Sequence, residues 1–303
     1  MPANRFSIII TSYNQLEFIR DAVDSALSQR NTDREIIVVD DASMDGSQDI
    51  LRRYGDAIRL VCLDTNQGAG AARNCGAALA TGEYLVFLDG DDAFLPWALE
   101  VYEKVVQARN PKLILCRMLW FKGKLPSVRP VDNPHEVEIV EYRDYMRKDR
   151  SFGASASALV IDRQSFQTVQ GWSTDIWPMN DMEFLLRLCA SGRTILVPSP
   201  PTTFHRAHAG QTINQVPPYI GVLYKLIRNE GLGQYPGGRH RRFERSALFG
   251  GIVFFWAKRA FKARLYWDAV KLLARAWPMV LVAVIRRLGV ILRGRRPCER
   301  IEM

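Results

Sequence analysis

A chain of 303 residues, 48% of them apolar, has room for one large domain or a domain with an appendage, and this composition excludes bulk disorder. Its five cysteines (Cys62, Cys75, Cys116, Cys189, Cys298) are scattered and odd in number, which excludes a disulfide framework or cysteine metal cluster and reads as buried thiols of a reducing compartment. The net charge of +9 is local: residues 239–303 hold 16 Lys/Arg against four acids, a net of +12, whereas residues 1–238 carry a net of −3. A slightly acidic body with a basic tail facing an anionic surface is expected.

The opening MPANRFSIII has an apolar run too brief for a signal peptide. Residues 6–10 form a β-branched strand, and in 15–29 Leu16, Ile19, Val23, Ala26 and Leu27 share a helical face. Strand 35–39, helix 47–54, strand 58–63, Ala-rich helix 68–80 and strand 84–88 follow. Pro96 suits the first turn of a helix running to about residue 108, and 112–118 supplies another strand. Short strands alternating with helices imply parallel pairing and right-handed crossovers, hence an α/β sandwich. Residues 121–150, with Pro126, Pro130 and Pro134, read as loops. Beyond them come strand 154–161, amphipathic helix 181–190 and short closing strands at 194–197 and 202–206. There are no internal repeats.

After Gly237 two apolar runs, ALFGGIVFFWA (247–257) and AWPMVLVAVI (276–285), sit among Arg and Lys. Each is about half the ~20 residues a membrane-spanning helix needs. Two basic amphipathic helices lying in a headgroup plane are expected, the alternative being a helical pair packed on the body with solvated basic faces. Aromatic and aliphatic residues mixed with Arg point to lipid over nucleic acid.

Ligands of such sheets bind beyond the carboxyl ends of the strands, where three polar signatures fall: Thr11-Ser-Tyr-Asn14, Asp40-Asp-Ala-Ser43 and Asp89-Gly-Asp-Asp92. Three carboxylates so close raise one another's pKa, so a positive charge is expected among them. Carboxylates two apart at a strand end can turn toward one hard cation, Mg²⁺ or Mn²⁺, that also binds phosphate oxygens. Gly90 would let a substrate approach the backbone. Asp92 is assigned to capping the next helix. Asp40 and Asp41 suit a capped turn equally well, and Thr11 and Tyr13 could simply pack their loop.

Five segments, IIITSYNQLEFIRDAVDSALSQ, EIIVVDDASMDGS, NQGAGAARNCGAALATGEYLVFLDGDD, GWSTDIWPMNDMEFLLRLCASG and FHRAHAGQT, closely resemble glycosyltransferase family 2, the inverting enzymes of the GT-A fold, over residues 5–215. The resemblance implies a GT-A, Rossmann-like sandwich with a mostly parallel sheet and a nucleotide-sugar donor, most often a UDP-sugar. It places Thr11 and Tyr13 at the nucleotide, with Tyr13 stacked on the base, Asp41 on the base edge supported by Asp40, and Arg73 nearby. Asp89 and Asp91 match the family's metal-binding D-x-D, with Asp89 near the ribose and Asp91 on Mn²⁺ or Mg²⁺. The general base is the acid of a Glu-Asp pair opening a helix. Here the pair reads Asn180-Asp181, so Asp181 takes that role and Asn180 departs from the pattern. Arg206 and His208 match a late Arg-x-His segment, with Arg206 toward phosphate and His208 completing the metal or diphosphate site.

The domain expectation is a glycosyltransferase domain at 1–235, its nucleotide-binding half about 1–118 and its acceptor half about 119–215, followed by a helical tail at 236–303. The expected acceptor is a saccharide or lipid-linked saccharide of surface polysaccharide synthesis, met on the cytoplasmic face of a bacterial inner membrane. Trp172, Trp177 and Met179 either line the acceptor side or pack internally. A dinucleotide oxidoreductase reading fails, since Gly68-Ala-Gly-Ala-Ala-Arg73 lacks the third glycine and the first βα turn has none. A dehalogenase-like phosphatase fails because its D-x-D stands near the N-terminus and has Thr or Val where Ala93 stands here. A non-catalytic binding or scaffolding relative of the same fold remains the alternative, and Asn180 is the feature that points to it.

Overall fold

The computed structural model describes residues 5–30, 33–128, 134–143, 145–149, 155–188 and 192–303. The N-terminal part alternates as expected: β1 (Phe6–Ser12), α1 (Ile19–Leu27), β2 (Arg34–Asp40), α2 (Ser47–Arg52), β3 (Arg59–Cys62), α3 (Ala69–Leu79), β4 (Tyr84–Asp89), a two-residue β5 (Ala93–Phe94), α4 (Ala98–Arg109), β6 (Leu113–Cys116) and β7 (Met118–Phe121). Then follow β8 (Glu136–Tyr142), β9 (Leu159–Asp162), α5 (Arg163–Thr168), α6 (Asn180–Leu188), β10 (Thr194–Ser199) and β11 (Thr203–Arg206). Three long helices, α7 (Val216–Gly231), α8 (Arg242–Lys262) and α9 (Tyr266–Arg293), lead to a last strand, β12 (Glu299–Glu302).

Nine strands make the main sheet in the order β12-β8-β10-β6-β9-β4-β1-β2-β3. Seven run the same way; β9 and β8 oppose them. Successive strand residues feed opposite faces, so Ile8, Ile10, Val38 and Val86 join α1 and α4 in one core, and Ile9, Val39, Leu85 and Phe87 join α3 and α6 in another. Gly76 lets α3 press on the sheet, because a Cβ there would lie 2.5 Å from Ile9 Cγ2. β5, β11 and β7 form a small second sheet over the carboxyl ends, with β11 in the middle.

Several expectations are corrected. The loops expected at 121–150 include β8, an alternating strand (EVEIVEY) whose acidic residues hide the pattern. The strand expected at 202–206 closes the small sheet and not the main one. Pro96 precedes α4, which begins at Ala98 after Trp97. Among the described thiols Cys116 is buried, Cys62 exposed, and Cys75 and Cys298 intermediate; Cys189, like the expected ends at 154 and 190, lies outside the described residues.

The expected tail is joined to the body. A third core unites Met182 and Leu186 of α6 with Leu223 and Leu226 of α7, Phe249, Val253 and Trp256 of α8, and Leu272 of α9. Arg245 and Glu230, both buried, pair at 2.6 Å and lock α8 to α7. The chain then returns to the main sheet, where β12 pairs antiparallel with β8 and Arg300 reaches Glu136 at 3.3 Å and Glu138 at 3.6 Å.

Candidate functional site

From β1 the chain steps outward to β2 and β3, then crosses back through α3 to β4 on the other side of β1, which makes the gap between β1 and β4 the kind of switch point at which open α/β sheets hold ligands. The three polar signatures end β1, β2 and β4 there. The amide of Gly90 donates to the Thr11 carbonyl at 2.9 Å, and a Cβ on Gly90 would meet that same oxygen at 2.9 Å. Glycine is therefore required by the contact between the end of β1 and the turn after β4.

The positive charge expected among the carboxylates is built in. Arg73, on α3 and almost wholly buried, donates through Nη2 to Asp89 Oδ1 at 2.6 Å and through Nη1 to Asp181 Oδ1 at 3.1 Å. Its guanidinium lies 4.8 Å from the ring centroid of Trp172, which stacks on Phe184. Burial works against the charge on Arg73, but the carboxylates of Asp89 and Asp181 more than offset it and hold the group protonated. Asp181 sits in the first turn of α6, and burial pushes its carboxyl up to about 6 against the pull of Arg73, with Asp89 adding to the rise. Asn180 accepts the amide of Asp181 on its side-chain oxygen at 3.1 Å, so the departure from Glu still supports the helix start.

Asp91 leads a second pair, its Oδ2 lying 2.9 Å from His208 Nε2. Asp92 caps no helix: it is fully buried, meets His205 Nδ1 at 2.9 Å and accepts the amide of Arg206 at 3.0 Å, fastening β11 to the acidic turn. Burial lifts the Asp92 carboxyl, with the His205 hydrogen bond opposing. Arg206, expected at phosphate, is buried with its guanidinium between the rings of Phe18 and Phe121 and donates to Asp21 and the carbonyls of Asp91 and Gly123.

On the β2 side, Asp41 accepts the amides of Gln67 and Gly68 at 2.7 and 2.8 Å, fixing the loop that starts α3 and so the position of Arg73. Asp40 accepts Ser43 and Gln48, as a turn residue would. Thr11 is buried, whereas Tyr13 is 45% exposed. Trp172 and Met179 are buried and pack internally, and Trp177 is exposed. Asp21 is not singled out by the sequence, whereas Asp92 reads as a cap and Trp172 is left between the acceptor side and internal packing. Asp21 is one partly exposed acid of α1, and no sequence signal ties it to Arg206 on β11.

Against known proteins, the family model described as Glycosyl transferase family 2 matches residues 7–169, more than half of the chain. The putative teichuronic acid biosynthesis glycosyltransferase TuaG of Bacillus subtilis is 33% identical over 192 residues, 62% of this chain and 73% of that one. WfaP of Escherichia coli, named as a UDP-Glc:alpha-D-GlcNAc-diphosphoundecaprenol beta-1,3-glucosyltransferase, is 46% identical over 88 residues, 28% of this chain and 35% of that one. Among solved structures, residues 1–349 of S. aureus TarS in complex with UDP-GlcNAc align with a TM-score of 0.68 at 16% identity, covering 91% of this chain and 81% of that one. The mannosyltransferase PcManGT of Pyrobaculum calidifontis in complex with GDP-Man and Mn²⁺ aligns with a TM-score of 0.57 at 19% identity, covering 94% and 87%. The strand-end motifs, the sheet that carries them and the family match agree: this chain belongs to glycosyl transferase family 2.

Proposed function

We propose that this glycosyltransferase moves a sugar from a nucleotide-diphosphate donor, a UDP-sugar, to a hydroxyl of a saccharide or lipid-linked saccharide, with inversion at the anomeric carbon. The observation that carries the reading is the single buried guanidinium of Arg73, which holds Asp181 of α6 and Asp89 of the D-x-D at one place. Asp181, with its carboxyl near 6, is ionised at neutral pH yet basic enough to take the acceptor's proton as the hydroxyl attacks. Arg73 sets the direction of that carboxylate, and one base acting in one in-line displacement gives inversion. Thr11, Tyr13, Asp40, Asp41 and Gly90 shape the nucleotide side at the ends of β1, β2 and β4.

A divalent cation fits the Asp91 side. Asp91 Oδ2 and His208 Nε2 stand 2.9 Å apart, close to the roughly 3 Å between neighbouring donors of an octahedral shell. An oxygen and an imidazole nitrogen suit Mn²⁺, and Mg²⁺ with more water. Asp89 stands on the same turn. Among the described residues no three His, Cys, Asp or Glu side chains gather as a closed site, so the remaining ligands would be diphosphate oxygens and water. The bound ion supplies Lewis-acid relief of charge on the departing diphosphate.

The α8–α9 hairpin gives the acceptor a setting. The first apolar run turns Phe249, Val253 and Trp256 into the third core and leaves Phe254 and Phe255 exposed on its other face. The second packs Ala276, Met279 and Val280 on that core, but Trp277, Leu281 and Val284, continued along α9 by Leu288, Ile291 and Leu292, are each at least half exposed and recur at three- and four-residue steps, with Arg287, Arg293 and Arg295 exposed beside them. No helix among the described residues is long and apolar enough to cross a membrane. Such a stripe suits peripheral seating on the anionic cytoplasmic face of a bacterial inner membrane. The names of TuaG and WfaP support a surface-polysaccharide role, and that of WfaP a lipid-linked acceptor.

A thermal-shift screen of nucleotide sugars with Mn²⁺, followed by transfer to lipid-linked saccharides, tests the proposal. Full activity in both Asp91→Ala and Asp181→Ala would sink the mechanism. Flotation with phosphatidylglycerol vesicles, lost on Leu288→Glu, tests the membrane part.

A further inference from the structure

The small sheet carries a row of side chains that the transfer chemistry leaves unused. β11 pairs with β7 so that His205 stands opposite Trp120 and Arg206 opposite Phe121. Side chains alternate along strands, so the two pairs face opposite sides. On the inner side Phe121 helps clamp Arg206. On the other, the rings of His205 and Trp120 lie nearly perpendicular with centroids 4.3 Å apart. Asp92, fully buried, uses one oxygen on His205 Nδ1 and the other on the Arg206 amide, so the imidazole is fixed with Nδ1 turned inward. Among the described residues Nε2 has no protein partner, and Trp120 is 61% exposed. His205 is within electrostatic reach of Asp89, Asp91 and Asp181, so this pair borders the acidic centre.

A single exposed tryptophan needs no explanation. One standing beside an imidazole that a buried carboxylate has oriented is a different object. An open indole face takes the C–H face of a pyranose, and a fixed ring nitrogen takes one of its hydroxyls. We propose that Trp120 and His205 form a pyranose-binding subsite at the rim of the acidic centre, holding the sugar ring of either the donor or the acceptor. The choice of a sugar as ligand rests on the glycosyl-transfer reading above; the geometry does not.

The test is saturation-transfer NMR on the full chain with methyl β-D-glucopyranoside as probe, which needs no turnover and so fails or succeeds independently of the transfer reading. The wild-type chain is expected to saturate the ring protons. Trp120→Ala should weaken binding about tenfold, the scale of one aromatic contact. Trp120→Phe should restore most of it, and His205→Gln should weaken binding with the indole still present. Unchanged melting temperature and unchanged UDP binding in the variants establish that fold and nucleotide side are intact. Bound UDP-glucose with Mn²⁺ then sorts the source: displacement of the glycoside assigns the subsite to the donor sugar, and persistence assigns it to the acceptor. Equal saturation in wild type and Trp120→Ala, or none in wild type, overturns the proposal.

Discussion

Replacing Arg73 by Met removes the cation that joins Asp89 to Asp181 while keeping apolar bulk against Trp172. With the Asp181 carboxyl at about 6, roughly nine-tenths of it is ionised at pH 7. An opposite charge in contact lowers a carboxyl by about 1–3 units, so its loss should carry Asp181 upward by that amount. At about 7.5 only about a quarter would be ionised at pH 7, a roughly fourfold loss of rate from protonation alone, to which disorientation adds. The sign follows: the base acts when deprotonated, so the acid limb of kcat/KM moves to higher pH, and the deficit of the variant shrinks between pH 6 and pH 9. Leaving two partly buried carboxylates without their partner also costs stability, relieved in part by protonation and by solvent, so melting curves must accompany the kinetics. An acid limb that stays in place in a folded variant, or a deficit constant across pH, would refute the electrostatic role given to Arg73.

Asp181→Asn should lower transfer by about 10²–10⁴-fold, measured as donor turnover with acceptor. It should also stabilise the unliganded chain by about 2–3 kcal/mol at pH 7, because a carboxyl raised to about 6 is costly when ionised; the gain should fall away between about pH 6 and pH 4, as first the native and then the unfolded carboxyl takes its proton. His208→Ala should weaken Mn²⁺ binding in the presence of UDP about 10–100-fold, read by Mn²⁺ paramagnetic resonance, with melting temperature unchanged. Gly250→Ala places a Cβ 1.9 Å from the Met279 carbonyl oxygen, so α8 and α9 must separate; a loss of about 1–3 kcal/mol in denaturant unfolding is expected.

Much of this architecture is legible in the chain because period and punctuation agree. Phe6–Ser12 and Tyr84–Asp89 are apolar runs ended by polar turns, and the ends of those runs are where the candidate site lies. β8 escaped because its alternation is written in glutamates, with Pro126, Pro130 and Pro134 close by. Asp92 escaped for another reason: a carboxylate shortly before a helix resembles a cap, and its true partners lie more than a hundred residues away on β11. The same distance hid the junction at Arg73. A sequence names the three charges, but only the packing of α3 against α6 shows that one guanidinium serves both acids.

The pairing of β12 with β8 bears on how the chain is made. β8 leaves the ribosome about 160 residues before the strand that covers it, an interval of about 8–30 s at ordinary elongation rates. Throughout that interval its free edge could recruit a strand from another nascent chain. Glu136 and Glu138 repel such intruders, while Arg300 on β12 brings the countercharge that the correct partner needs. Any C-terminal shortening that removes residues 299–302 would leave that vulnerability permanent, so insoluble expression of a truncated chain would report an uncovered sheet edge before it reported anything about the helices.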